Sequence, residues 1–128
     1  MSSKMVRDIV EPHLLTEWAW ATPITWDMTD RVQLPGQKFI ACTLDMTYVE
    51  RISSGCQRET HLFVVEAYGN RAEGTKAVLD MTEALTAIFF DYSSGYLRVK
   101  NIRDERVGNI ESSSQRNVLI EIEYDHHY

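Results

Sequence analysis

The sequence predicts an α+β fold: an antiparallel sheet of about four strands packed against one long helix, with a second helix at the N-terminus. Three observations carry this. Residues 39–49 alternate between apolar and polar side chains. Residues 56–68 hold a centre, Leu62-Phe63-Val64-Val65, that is apolar on both faces. Residues 71–91 carry an apolar stripe at helical spacing. At 128 residues the chain 1–128 is a single domain. Area scaling buries about two thirds of its unfolded surface, enough for one core without staples.

Residues 3–21 read as the first helix, with Val6, Val10, His13, Leu14, Trp18 and Ala21 near one face. Pro12 lacks an amide donor and crowds the carbonyl of Asp8, so a kink or restart is expected there. Pro23 pushes Thr22 out of the helical region, and Thr22 to Met28 reads as a short extended piece. Residues 29–38 carry Asp, Pro and Gly and read as loop. In the first strand Ile40, Cys42, Leu44, Met46 and Tyr48 share one face. Residues 51–55 are the hairpin loop, and the strand 56–68 sits centrally because its middle is apolar on both sides. Gly69-Asn70 reads as a turn.

In the long helix Val78, Met81, Leu85, Ile88 and Phe89 form the core stripe, while Lys76, Asp80 and Glu83 form the wet face. Asp91 to Gly95 closes it, and residues 96–102 are a strand. The polar stretch 103–115 reads as a mobile loop with a short extended piece near Val107. The last strand, 116–124, points Val118, Ile120, Ile122 and Tyr124 one way, with Leu119, Glu121 and Glu123 the other.

The net charge is −6 and the pI about 5.1. That balance argues against a sequence-independent DNA binder, which needs Lys and Arg to neutralise phosphates. Cys42 and Cys56 are too few for a disulfide framework and read as buried thiols of a reducing compartment. No apolar run approaches the ~20 residues of a membrane span, and no signal peptide is expected.

Catalytic and metal-binding patterns are thin. His126-His127 is an adjacent pair at a frayed terminus beyond the last strand, and neighbours on a strand would point to opposite faces, so a solvated tail is expected rather than a metal site. His61 reads as a structural histidine facing the helix or a subunit neighbour. Cys56 and His61 lie an odd number of residues apart on one strand, which rules out a nucleophile–base pair. Asp45, Glu50, Glu59 and Glu66 read as a solvated sheet face. The stretch Gly69 to Gly74 lacks the Gly-Lys-Ser/Thr ending of a phosphate loop. No catalytic residue, cofactor or metal is expected, and the protein is not read as an enzyme. Of the three tryptophans, Trp18 lies on the core stripe, while Trp20 falls off it and is read as an interface anchor.

In order and spacing, residues 14–125 resemble the tail terminator (tail-completion) proteins of long-tailed bacteriophages. The features are the N-terminal helix, then Thr22-Pro23-Ile24-Thr25-Trp26-Asp27 like the family's Pro-Val-x-Trp-Glu-Asn. Leu34-Pro35-Gly36 before the first strand, the helix ending in Phe89-Phe90 and the closing strand Val118 to Tyr124 continue the match. Asp27-Met28 and Pro12 depart from the family's pattern. The resemblance implies a structural virion protein, assembled in the bacterial cytoplasm, with no membrane partner. It implies a hexameric ring on the head-proximal end of the tail tube that stops tube-protein addition and docks the head–tail connector. Arg51, Ile52 and Arg58 are the expected contact residues of one patch, Arg103 and Arg106 of a second. Asp80, Glu83 and Glu121 are candidates for an acidic lumen that lets DNA pass without sticking. Two other readings are kept: a small cytosolic α+β domain that binds or converts a metabolite between helix and sheet, and a head-completion or connector protein of the same phage.

Overall fold

A computed structural model defines residues 2–18, 24–26, 39–70, 76–110 and 113–127, without the side chains at 2, 3, 25, 70, 106–110, 113 and 114. The order is α1 (Ser2–Glu17), β1 (Ile24–Trp26), β2 (Phe39–Ser53), β3 (Cys56–Asn70), α2 (Lys76–Phe89), β4 (Ser93–Ser94), β5 (Leu97–Ile110) and β6 (Ser113–His127). The sheet order is β1-β2-β3-β6-β5-β4. Every pairing is antiparallel except the short β1–β2 contact. The α+β class and the helix-on-sheet packing therefore hold, with four long strands flanked by two short ones.

Both helices pack on one face of the sheet. In α1 the four-residue steps Val6, Val10 and Leu14 bring a fully buried stripe onto the sheet, and Trp18 extends it. Exposed i,i+4 pairs, Lys4–Asp8 and Arg7–Glu11, occupy its outer side. In α2 the buried residues are Val78, Met81, Thr82, Leu85 and Phe89. They meet Ile40, Cys42, Phe63, Val65, Val118, Ile120 and Ile122 from the sheet. The two helices also touch each other. His13 stacks on Tyr92 with centroids 3.7 Å apart, and its Nε2–H donates to the Ile88 carbonyl at 2.9 Å. Asp91, at φ 56°, ends α2 in the left-handed conformation of a helix C-terminus. Gly95, at φ 58°, supplies the positive φ of the two-residue turn from β4 into β5.

Four expectations change. The first helix ends at Glu17 rather than near residue 21, and it runs through Pro12 as one element, because the buried stripe on either side holds it in place. β2 and β3 lengthen at both ends of the hairpin: only Ser54-Gly55 turns, and Gly69-Asn70 belongs to β3. Residues 103–110 are strand, not loop, because they continue the β5–β6 ladder as far as Ile110–Ser113. Arg103, Asp104 and Glu105 are exposed polar residues, so pairing, not burial, makes this stretch a strand. Finally, a bulge between Met46 and Tyr48 turns Tyr48 away from the face that Met46 shares with His61. The expected loop 29–38 and the start of the long helix, 71–75, lie outside the described residues, as does Trp20.

Candidate functional site

Two strand edges, a groove and an ionic cluster lie at the surface, and a further polar cluster is buried under the helices.

The first edge belongs to β2. On its outer side β1 pairs only with Ile40–Cys42, and no other described strand pairs there. The burial of β2 changes abruptly along its length. Phe39–Cys42 are buried on both faces, whereas Met46, Tyr48, Val49 and Ile52 are 45, 59, 43 and 44 % exposed. The second edge belongs to β5. On its outer side β4 pairs only with Leu97 and Arg98, and no described strand pairs with it from Lys100 to Ile110. Among the described residues, β2 from Thr47 and β5 from Lys100 thus have no strand partner on their outer sides, which lie at opposite sides of one sheet.

The groove runs between α2 and β5. A hollow of about 380 Å³ is lined by Thr86, Phe90, Val99, Lys100 and Ile102 among others. It meets a second of about 430 Å³, bounded by Glu83, Ala87 and Asp104, through the shared Thr86 and Phe90. Phe90 stands at the helix end with 75 % of its surface in solvent. Phe89, one residue earlier, is fully buried against Phe63. The apolar pair read from the sequence therefore splits into one core residue and one surface residue.

The first ionic cluster lies under the helices. His61 is fully buried and Glu59 nearly so, with His61 Nε2 3.0 Å from Glu59 Oε1. Residues two apart on a strand share a face, so the pairing is local. His61 Nδ1 is buried with no hydrogen-bond partner among the described residues. Glu59 is therefore not part of a solvated face, while Asp45 and Glu50 are exposed as expected. Glu66 is half-buried and accepts from Tyr68 Oη and Gln115 Nε2, each at 3.4 Å.

The second cluster crosses the open face. Arg58 on β3 donates to Asp125 on β6 through Nε at 2.9 Å. Arg98 on β5 bridges Glu123 at 2.7 Å and Asp125 at 3.5 Å, and Lys100 reaches Glu123 at 3.2 Å. The Arg58 hydrogen bond, with the charges of Arg58 and Arg98, holds the Asp125 carboxyl below its usual range despite partial burial. Burial pushes Glu123 up, but Lys100 and Arg98 outweigh it and leave its carboxyl low. The Cys42 thiol is pushed far up by burial, then by Glu11 and Glu66, and is inert as a nucleophile. Cys56 and His61 lie on opposite faces. Cys56 meets His127 instead, Sγ to Nε2 4.0 Å across the β3–β6 ladder, and the exposed His127 ring tilts against Tyr96. No group of three or more metal-ligating side chains converges among the described residues. No helix there is long and apolar enough to cross a membrane.

The residues singled out from the sequence separate as follows. Arg51 pairs with Gln57 and Arg58 with Glu50, one step apart along the ladder, so the two arginines face opposite sides of the hairpin. Arg58 is engaged by Asp125 across the open face. Ile52 is exposed near the tip. Arg103, opposite Leu119, shares the open face, whereas Arg106 pairs with Arg116 and lies outside the described side chains. Asp80 lies on the exposed side of α2 and accepts from Lys76 at 3.0 Å, and Glu83 is exposed at the border of the groove beside Asp104. Glu121 pairs with Leu62 on the face away from the helices, so these acids lie on opposite sides of the sheet. Reasoning from the sequence did not single out Phe90, Tyr48 or Val49 as surface residues. An apolar residue at the edge of a stripe carries no mark of whether anything covers it.

Comparison with known proteins gives one kind of result. The chain matches no protein-family model and no curated protein. It does match solved structures, one of them a protein determined by NMR. That structure is 18 % identical, with TM-score 0.66, covering 100 % of this chain and 97 % of the other. At that identity the likeness shows the shared α+β fold over the full length, and nothing more.

Proposed function

We propose that the protein is a structural virion component that closes into a ring, in line with the tail terminators it resembles. The ring, hexameric in that family, caps the head-proximal end of the tail tube, ends its polymerisation and offers a docking face to the head–tail connector. The supporting observation is that, among the described residues, the Thr47–Ser53 end of β2 and the Lys100–Ile110 stretch of β5 have no strand on their outer sides. They are different surfaces at opposite sides of one molecule. A contact between them is heterologous, and heterologous contacts close into rings when the rotation permits. Closure also removes the edges, the standard liability of an open sheet.

In such a ring one sheet face turns to the lumen. If the helix-free face does, Glu121 is lumenal, and Asp80 and Glu83 lie on the outer wall. The net charge of −6 per chain keeps passing DNA from being trapped. Arg51, Ile52 and Trp20 remain contact candidates, and the reading requires no catalysis, cofactor or membrane.

The test is assembly. Size-exclusion chromatography with light scattering and negative-stain images should show rings, alone or on tubes. Added to polymerising tube protein, the chain should halt growth at one end. A monomer that neither binds tubes nor limits their length would refute the reading. One observation favours the second reading: the groove of about 380 Å³ is within the size of a small-ligand site. A thermal shift produced by a metabolite, in a protein that never assembles, would favour it.

A further inference from the structure

The strand directions define what can lie against β5. β2, β3, β6 and β5 alternate in direction, because each adjacent pair is antiparallel. With an even number of long strands, the two lateral ones run opposite ways. A second copy brought alongside by rotation about an axis near the strand direction keeps its own orientation. Its β2 therefore meets β5 antiparallel, like every other long pair in the sheet, and its helices stay on the same side.

The charges select a register. Beyond the bulge at Thr47, Val49 and Arg51 point to the helix side, and Tyr48 and Glu50 to the open side. On β5, Ile102 and Asp104 point to the helix side and Arg103 and Glu105 to the open side. Placing Glu50 opposite Arg103 pairs opposite charges on the open face. The same register puts Val49 opposite Asp104 and Arg51 opposite Ile102, with Arg51 diagonal to Asp104, again opposite charges. Shifting by two residues, so that Arg51 faces Asp104 directly, sets Glu50 against Glu105, a like-charge pair. In the favoured register the Arg51 stem lies over Ile102 and Phe90, covering the groove beside the helix end.

We propose that the outer edge of β5, with the groove at Phe90, receives the Thr47–Ile52 end of β2 from a second copy of this chain, antiparallel, with Glu50 opposite Arg103. The proposal rests on the ring reading and names its seam. It gathers Arg51, Ile52 and Arg103, from two separate patches, into one contact. It also covers Val49 and Phe90, which are large apolar residues left in solvent by the single chain.

Cross-linking tests it. Glu50→Cys and Arg103→Cys are made separately, mixed in equal amounts and oxidised. Directly opposed antiparallel residues lie at a separation that a disulfide spans. A mixed disulfide dimer is expected from this pair and not from Asp8→Cys mixed with Arg103→Cys, since Asp8 lies on the outer side of α1. Equal yields from the two mixtures, or no cross-link at the highest soluble concentration, would overturn the seam. Charge reversal is the second measurement. Arg103→Glu or Glu50→Arg alone should lower the assembled fraction about fivefold or more, and the two together should restore it. Failure of the double variant to recover, with both singles folded by circular dichroism, also overturns it. Failure of the ring reading looks different. A chain carrying both cysteines should give a ladder that ends at a closed ring. A ladder that never ends keeps the seam and refutes the ring, whereas rings in images without the cross-link keep the ring and refute the seam.

Discussion

Val49 and Glu59 are cross-strand neighbours on the same face of β2 and β3, yet Val49 is 43 % exposed and Glu59 only 3 %. The usual preference is inverted: the apolar side chain is in water and the charged one is buried. The cause is reach. Helix packing covers β3 and β6 at this level; Tyr124, the β6 neighbour of Glu59, is buried and places its hydroxyl 3.8 Å from Met5 Sδ on α1. The far part of β2 lies beyond that cover. The near part of the same strand, Phe39–Cys42, is buried on both faces. One region is therefore covered by its own chain, while the other is left exposed.

The sharpest way to break this comparison is to truncate one side chain in each region. Phe89→Ala removes a fully buried ring and should cost about 3–5 kcal/mol, with Leu85→Ala at about 2–5 kcal/mol. Tyr48→Ala, in the exposed part of β2, should stay within about 0.5 kcal/mol in the isolated chain. Denaturant unfolding reads all three. Comparable losses at Leu85 and Tyr48 would erase the division between the regions.

The buried His61–Glu59 pair is tested next. His61→Ala leaves a cavity and a buried Glu59 without its hydrogen-bond partner, and should cost about 3–5 kcal/mol. Replacing both residues by leucine should recover most of that, because the pair sits in an apolar setting. A double variant no more stable than His61→Ala would mean the pair contributes through a partner outside the described residues.

Pro12 bears on how firmly α1 covers the near region. It is exposed within the helix, so Pro12→Ala gives up no core packing and restores a hydrogen-bond donor toward the Asp8 carbonyl. Stability should rise, by up to about 3 kcal/mol. An unchanged unfolding midpoint would show that the helix has already absorbed the proline.

The smallest effect concerns acid. Asp125 and Glu123 have folded-state carboxyls held below their ordinary values, so the stability they contribute is present above about pH 4 and is lost as pH falls through the folded values. Asp125→Asn should lower stability at neutral pH, converge with the native chain at low pH, and so flatten the acid limb of the stability profile. A profile identical to that of the native chain would show that the Arg58–Asp125 contact has no linkage to folding.

Much of the architecture was legible because period-2 and period-3.6 patterns record which residues share a face. The stripes Val6-Val10-Leu14 and Val78-Met81-Leu85 and the alternation of Val118-Ile120-Ile122 each mark a buried surface. Residues 103–110 were not legible as strand, since a ladder made of hydrogen bonds alone leaves no hydropathy signal. The bulge at Thr47 was equally silent, and it decides which way Tyr48 points. The separation of Arg51 from Arg58 follows from register, which depends on the turn at Ser54-Gly55 and not on either arginine.

The sequence by itself determined the fold class, the element order, the core stripes and the acidic, cysteine-poor character of the chain. These follow from local periodicity and composition, which need no knowledge of what lies opposite. Only the tertiary structure decided that Phe89 is core and Phe90 surface, that Glu59 is buried beside an exposed Val49, that Cys56 meets His127, and that among the described residues only two short strands flank β2 and β5. Each of these depends on which element covers a face and how far that cover extends. That is a property of packing between residues distant in the chain, and a single strand carries no record of it.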